Sequence, residues 1–132
     1  MPNWQPNWDN VRWDDGAADS AVAALRHAAD LLDDTAGDRE RVANEARAEW
    51  RGRYRDEFEE RFSGLASHAR QLSAQYRDAA AQVVRASQSA QQEQRRRELE
   101  RARWQMEKEA EELWERLRRE AEELARRMGG GR

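Results

Sequence analysis

Two long runs of this chain repeat apolar side chains at alternating intervals of four and three residues. The first steps through Ala18, Val22, Leu25, Ala29, Leu32 and Ala36, skips at Arg39, and resumes at Ala43, Ala46 and Trp50. The second steps through Phe58, Phe62, Leu65, Ala69, Leu72, Tyr76, Ala79, Val83, Ala86 and Ala90. That period lines one edge of an α-helix and cannot line one face of a strand, so each run predicts a helix with a single apolar seam. Both prolines, Pro2 and Pro6, lie before the runs and leave the rest of the chain free to be helical. An all-α fold is the expectation.

Between the runs lies Trp50-Arg51-Gly52-Arg53-Tyr54-Arg55-Asp56-Glu57-Phe58, where Gly52 is the strong breaker. Glycine takes the positive φ of a reversal without steric cost, so a turn is expected near 50–53. The first helix should start after Asp14-Asp15-Gly16 with an aspartate cap, and Asp19 sits in its positive first turn. Gly37 costs about 1 kcal/mol inside a helix, but the seam keeps phase across it, which predicts one helix with a kink allowed. The second helix should restart near Arg53, with Asp56, Glu57, Glu59 and Glu60 at its positive end. Two arms of about 50 Å each, at 1.5 Å per residue, suit an antiparallel hairpin. One hairpin cannot bury two full stripes by itself, so it should pair with another hairpin. Val22, Leu25, Leu32, Phe62, Leu65, Leu72, Tyr76 and Val83 are the expected seam of that dimer.

Four stretches follow from this pattern. Residues 1–16 form an extended tail with Pro-Asn-Trp twice, at Pro2–Trp4 and Pro6–Trp8, and a third tryptophan at Trp13. That tail either docks into a groove of a partner or folds over its own helices to hide its indoles, and the second is favoured. Residues 17–92 form the hairpin. Residues 93–128 are a charged helical extension with apolar steps at Leu99, Ala102, Met106, Ala110, Leu113, Leu117, Ala121, Leu124 and Met128. Glu112–Arg116, Glu115–Arg119, Glu122–Arg126 and Glu123–Arg127 reinforce it as i,i+4 pairs. Residues 129–132 are a flexible stop. The polar stretch Ser87–Gln94 holds no Pro or Gly, so the second helix either continues to residue 128 or folds back near 87–92. Trp104 and Trp114 sit off or beside the charged seam, and either widen an apolar face for a partner or mark an adhesive surface.

Composition narrows function by exclusion. Charged residues make up 39% and apolar residues 38%, which suits long helices better than a conventional core. No cysteine is present, so neither a disulfide framework nor a thiolate metal site is expected. His27 and His68 each stand alone on their helices, the serines lack a nucleophile-elbow context, and no glycine-rich phosphate loop occurs. An enzyme is not expected, and no cofactor is. Arg95-Arg96-Arg97 is answered at once by Glu98 and Glu100, so nucleic-acid binding is not expected either. No apolar run reaches bilayer length and the N-terminus does not resemble a Sec signal, so neither a membrane span nor Sec export is expected. Residues 1–50 carry five arginines against eleven acids, so the first arm should prefer a neutral or basic neighbour.

Trp50-x-Gly52 between two heptad-patterned helices, with Phe58 beyond, resembles the WXG proteins of type VII (ESX) secretion systems. The resemblance implies a non-catalytic antiparallel hairpin that forms a four-helix bundle, as a homodimer or with a related WXG-like chain. It also implies export through the type VII machine, or service to a secreted effector, with a cytoplasmic stage before export and a secretion ATPase or the effector as partner. Trp50 and Gly52 would carry the turn motif. The family's Tyr-x-x-x-Asp/Glu signal is not matched: Ala80 stands four residues past Tyr76, and Phe58 four past Tyr54. Arginine in great excess over the single Lys108 points to a GC-rich genome, such as an actinobacterial one, where WXG-like proteins abound. The reading from another class is a cytoplasmic coiled-coil scaffold that chooses partners through its charged C-terminal helix.

Overall fold

The computed structural model describes residues 1–49 and 52–129 and, among them, contains two helices and no strand. Helix α1 spans Asp15–Glu49 and helix α2 spans Arg53–Gly129. Trp50, half of the expected turn motif, lies outside the described residues, as do residues 130–132 of the expected flexible stop. The chain divides into two compact units: Trp13–Ser89, and Met1–Arg12 with Ala90–Arg132. Helix α2 runs unbroken through Ser87–Gln94, so the chain does not fold back there. Nothing in that stretch removes a backbone donor or demands a positive φ, and the helix propagates through it.

Sequence chemistry explains where each helix begins. Asp14 caps α1: its carboxylate oxygen accepts the Ala17 amide at 3.0 Å and its carbonyl accepts the Ala18 amide at 3.0 Å. Gly52 has φ +89°, the left-handed region, and its carbonyl accepts the amides of Arg55 at 3.1 Å and Asp56 at 3.3 Å. The glycine therefore heads α2 with a backbone conformation that L-residues rarely adopt. Helix α1 continues through Gly37 without interruption.

In the Trp13–Ser89 unit α1 and α2 pack against each other as a hairpin. On α1 the buried positions are Ala18, Val22, Ala29 and Ala43, all from the expected seam. On α2 Phe62, Ala69, Tyr76 and Val83 of the expected seam are half-buried, and the deepest positions lie one residue beyond its other members. Ser73 and Ala80 are buried, with Ala66 and Ser87 half-buried in the same row, whereas Leu65 and Ala86 from the expected seam are exposed. The reason is closeness of approach. Ala29 is 0% exposed and Ala80 1%, and the Ser73 hydroxyl donates to the Ala29 carbonyl at 3.4 Å. A leucine in that row would hold the helices apart, so small residues take the contact line and larger ones flank it.

Candidate interaction surfaces

Two ties lock the hairpin arms. Arg77 on α2 donates to Asp30 at 2.8 Å and to Asp33 at 2.7 Å on α1. The Arg77 guanidinium, helped by the Ser73 hydroxyl, holds the Asp33 carboxyl below its usual range. Nearer the turn, Arg47 pairs with Glu59, and its guanidinium lies 5.2 Å from the centre of the Phe62 ring. Phe58 stacks on Phe62 with ring centres 5.6 Å apart. Phe58 thus extends the aromatic ring that Arg47 of α1 covers.

The turn-proximal half of this unit is left open. A groove of about 210 Å³ is lined by Leu31, Leu32, Ala36, Phe62, Leu65 and Ala69 among others. A second, of about 650 Å³, shares Phe62 and Leu65 and reaches Val42, Ala46 and Phe58. Leu31 is 52% exposed, Val42 60% and Leu65 63%. Of the expected dimer seam, Val22 is buried inside the hairpin, Leu65 is exposed, and Leu25, Leu32, Phe62, Leu72, Tyr76 and Val83 are half-buried.

The second unit is built on the tryptophan arm. Residues 1–12 lie along the 90–111 stretch of α2, running the opposite way, from Met1 beside Glu111 to Val11 beside Gln94. Ten arm steps against seventeen helix steps, at about 1.5 Å each, give about 2.6 Å per arm residue, an extended backbone somewhat short of the roughly 3.1 Å rise of a polyproline II helix. Pro2 and Pro6 are buried and favour that extended form. Trp104 is the anchor, 7% exposed. Its indole N–H donates to the Trp4 carbonyl at 2.9 Å, Trp8 meets it edge-on at 5.2 Å, and Lys108 lies 5.5 Å from its ring centre. The Trp4 indole N–H donates to Glu107 at 2.6 Å.

An extended arm has no backbone partners of its own, and polar side chains of α2 supply them. Arg97 donates to the Asp9 carbonyl at 3.0 Å; Arg101 donates to the carbonyls of Asn7 at 3.0 Å and Asp9 at 2.7 Å. The Gln94 side chain accepts the Val11 amide at 2.9 Å and donates to Asn10 at 3.0 Å. Glu93, gripped by Arg96 and Arg97, has its carboxyl lowered to about 2. Gln94, Arg97, Arg101, Trp104, Lys108 and Glu111 recur at intervals of three and four, a helix face that an apolar pattern search passes over. The signals in the sequence are the paired Pro-Asn-Trp units of the arm and Trp104, which stands off the line of apolar steps. Trp13 belongs to the hairpin unit, where its indole donates to Ser87 at 3.1 Å.

Among the described residues no cluster of His, Cys, Asp or Glu is arranged to hold a metal ion, and no helix is long and apolar enough to cross a membrane. His27 and His68 are exposed on separate helices. The surfaces built here are apolar grooves, a docked arm and charged helix faces. Set beside protein-family models, curated proteins and solved structures, the chain matches none of them.

Proposed function

We propose that this chain is a non-enzymatic, WXG-like helical hairpin that pairs with a second copy into a four-helix bundle. In this reading it is exported through a type VII secretion system as that dimer, or serves as folded partner of a secreted effector. The observation that carries it is the open groove beside the Gly52 turn, with Leu31, Val42 and Leu65 more than half exposed. Soluble proteins rarely leave such a contiguous apolar surface without a use. A second hairpin laid on it would finish burying Leu32 and Phe62, which one hairpin leaves half wet. Gly52 between two packed helices is the part of the turn motif that supports a WXG-like protein.

The test is export of the full chain and its Trp50→Ala variant from a host with a working type VII machine. The reading expects the wild type in the medium and the variant held in the cell with its association state unchanged. Wild-type protein that never leaves the cell would overturn the export half. The second reading, a cytoplasmic coiled-coil scaffold, is favoured by one separate observation, the wet apolar stripe along residues 99–128 of α2.

A further inference from the structure

The helix that carries the tryptophan arm has a second face that, among the described residues, nothing covers. Leu99, Met106, Leu113, Leu117, Leu124 and Met128 are between 46% and 74% exposed. Nine positions, two and a half turns, separate Trp104 from Leu113, so the arm and this stripe occupy opposite sides of the helix. With Ala102, Ala110 and Ala121 included, the steps run three-four-four, three-four-four, three-four. That is an eleven-residue period, which stays in line along a nearly straight helix over about 44 Å.

We propose that two copies of this chain pair antiparallel through this stripe, about a two-fold axis at Leu113. The order of large and small residues selects the direction. Laid antiparallel, Leu113 meets itself, Ala110 meets Leu117, Met106 meets Ala121, and Ala102 meets Leu124. Each alanine then faces a large side chain, and the interface has an even width. Laid parallel in register, alanine meets alanine and leucine meets leucine, so gaps alternate with crowding, which interiors packed at crystal density do not tolerate.

Charge selects the same direction. The residues bordering the stripe pair Glu98 with Arg127 of the second copy, and Glu109 with Arg116. A parallel pair would instead set the acidic block Glu120–Glu123 against its own copy, and the basic block Arg116–Arg119 likewise. Like charges so placed disfavour that register. Trp114, 69% exposed at the edge of the stripe, lies beside the axis and extends the covered area. This pairing is independent of the hairpin surface described above.

The chain has no cysteine, so single introduced thiols report position without background. Full-length Leu113→Cys, Leu99→Cys, Met128→Cys and, on the back of the helix, Glu122→Cys are treated with a short bis-maleimide. The stripe positions are exposed, so the substitutions leave the monomer fold intact, as circular dichroism checks. Leu113→Cys should cross-link to itself at least tenfold faster than Glu122→Cys. Leu99→Cys and Met128→Cys should cross-link when mixed and not alone. Glu109→Arg should slow the Leu113→Cys reaction severalfold, and adding Arg116→Glu should restore it. Self-linking of Leu99→Cys would show a parallel pair, and a Leu113→Cys rate equal to the Glu122→Cys control would show no pairing; either overturns the proposal.

Discussion

Replacing Trp104 by alanine should release the tryptophan arm while leaving the helix beneath it formed. Trp104 keeps only 7% of its surface, and a large aromatic buries on the order of 150–250 Å². At about 25 cal/mol per Å² that burial stabilises docking by about 4–6 kcal/mol, an upper figure because a real unfolded arm is already partly compact. The bond from its indole to the Trp4 carbonyl, 2.9 Å long, adds about 1 kcal/mol. Ordering the arm backbone opposes these terms at about 1–2 kcal/mol per residue, so docking is marginal without its anchor. A loss of about 4 kcal/mol corresponds to about a thousandfold in the open population at 1.4 kcal/mol per decade. Hydrogen exchange at the Val11 amide, which donates to Gln94 at 2.9 Å, reads that population directly. Protection should fall toward that of an unstructured peptide, limited by the docking free energy itself, while far-UV circular dichroism stays helical. A fall of less than tenfold would refute the reasoning, because the polar contacts of Arg97 and Arg101 would then hold the arm unaided.

Three further outcomes follow from the hairpin and the arm. Ala80→Leu, at a position 1% exposed, should destabilise the chain by about 1–3 kcal/mol in urea unfolding. Gly52→Ala meets open space around its new Cβ but must hold φ near +89°, so it should lower stability by about 1–2 kcal/mol with helix content retained. Glu93 should titrate near pH 2 by carboxyl NMR. Its folded value lies below the ordinary 4.5, so its contribution is complete above pH 4.5 and drains away as pH falls through about 2. Arg96→Gln should move that midpoint upward.

The sequence made α1 readable because its seam is also its buried line: Ala18, Val22, Ala29 and Ala43 carry both. On α2 the two part company. Leucines and phenylalanines draw the eye to the row of Leu65 and Leu72, whereas the helices touch along the row of Ala66, Ser73 and Ala80. A serine carries no apolar signal, and it fits there because it is small and can return its hydroxyl to the Ala29 carbonyl. The heptad of small residues at 66, 73 and 80 was the clue available. The arm site was hidden for a related reason. Its helix face is mostly Gln and Arg, chosen to satisfy the carbonyls of an extended strand, and hydropathy does not register that role. The continuity of α2 through Ser87–Gln94 was readable only as the absence of any residue that would stop it. The charged extension forms the i,i+4 pairs Glu115–Arg119 at 3.7 Å and Glu123–Arg127 at 2.8 Å, as spacing alone predicts.

Apolar surfaces lie open on the hairpin and on the far face of α2, and each is proposed to be covered by a further copy of the chain. The molar mass of the purified full-length protein in solution, by light scattering at micromolar concentration, tests this most directly. The account predicts an even multiple of 15.5 kDa that persists on dilution. A mass of 15.5 kDa, one chain alone with Leu65 and Leu113 still in water, would contradict it.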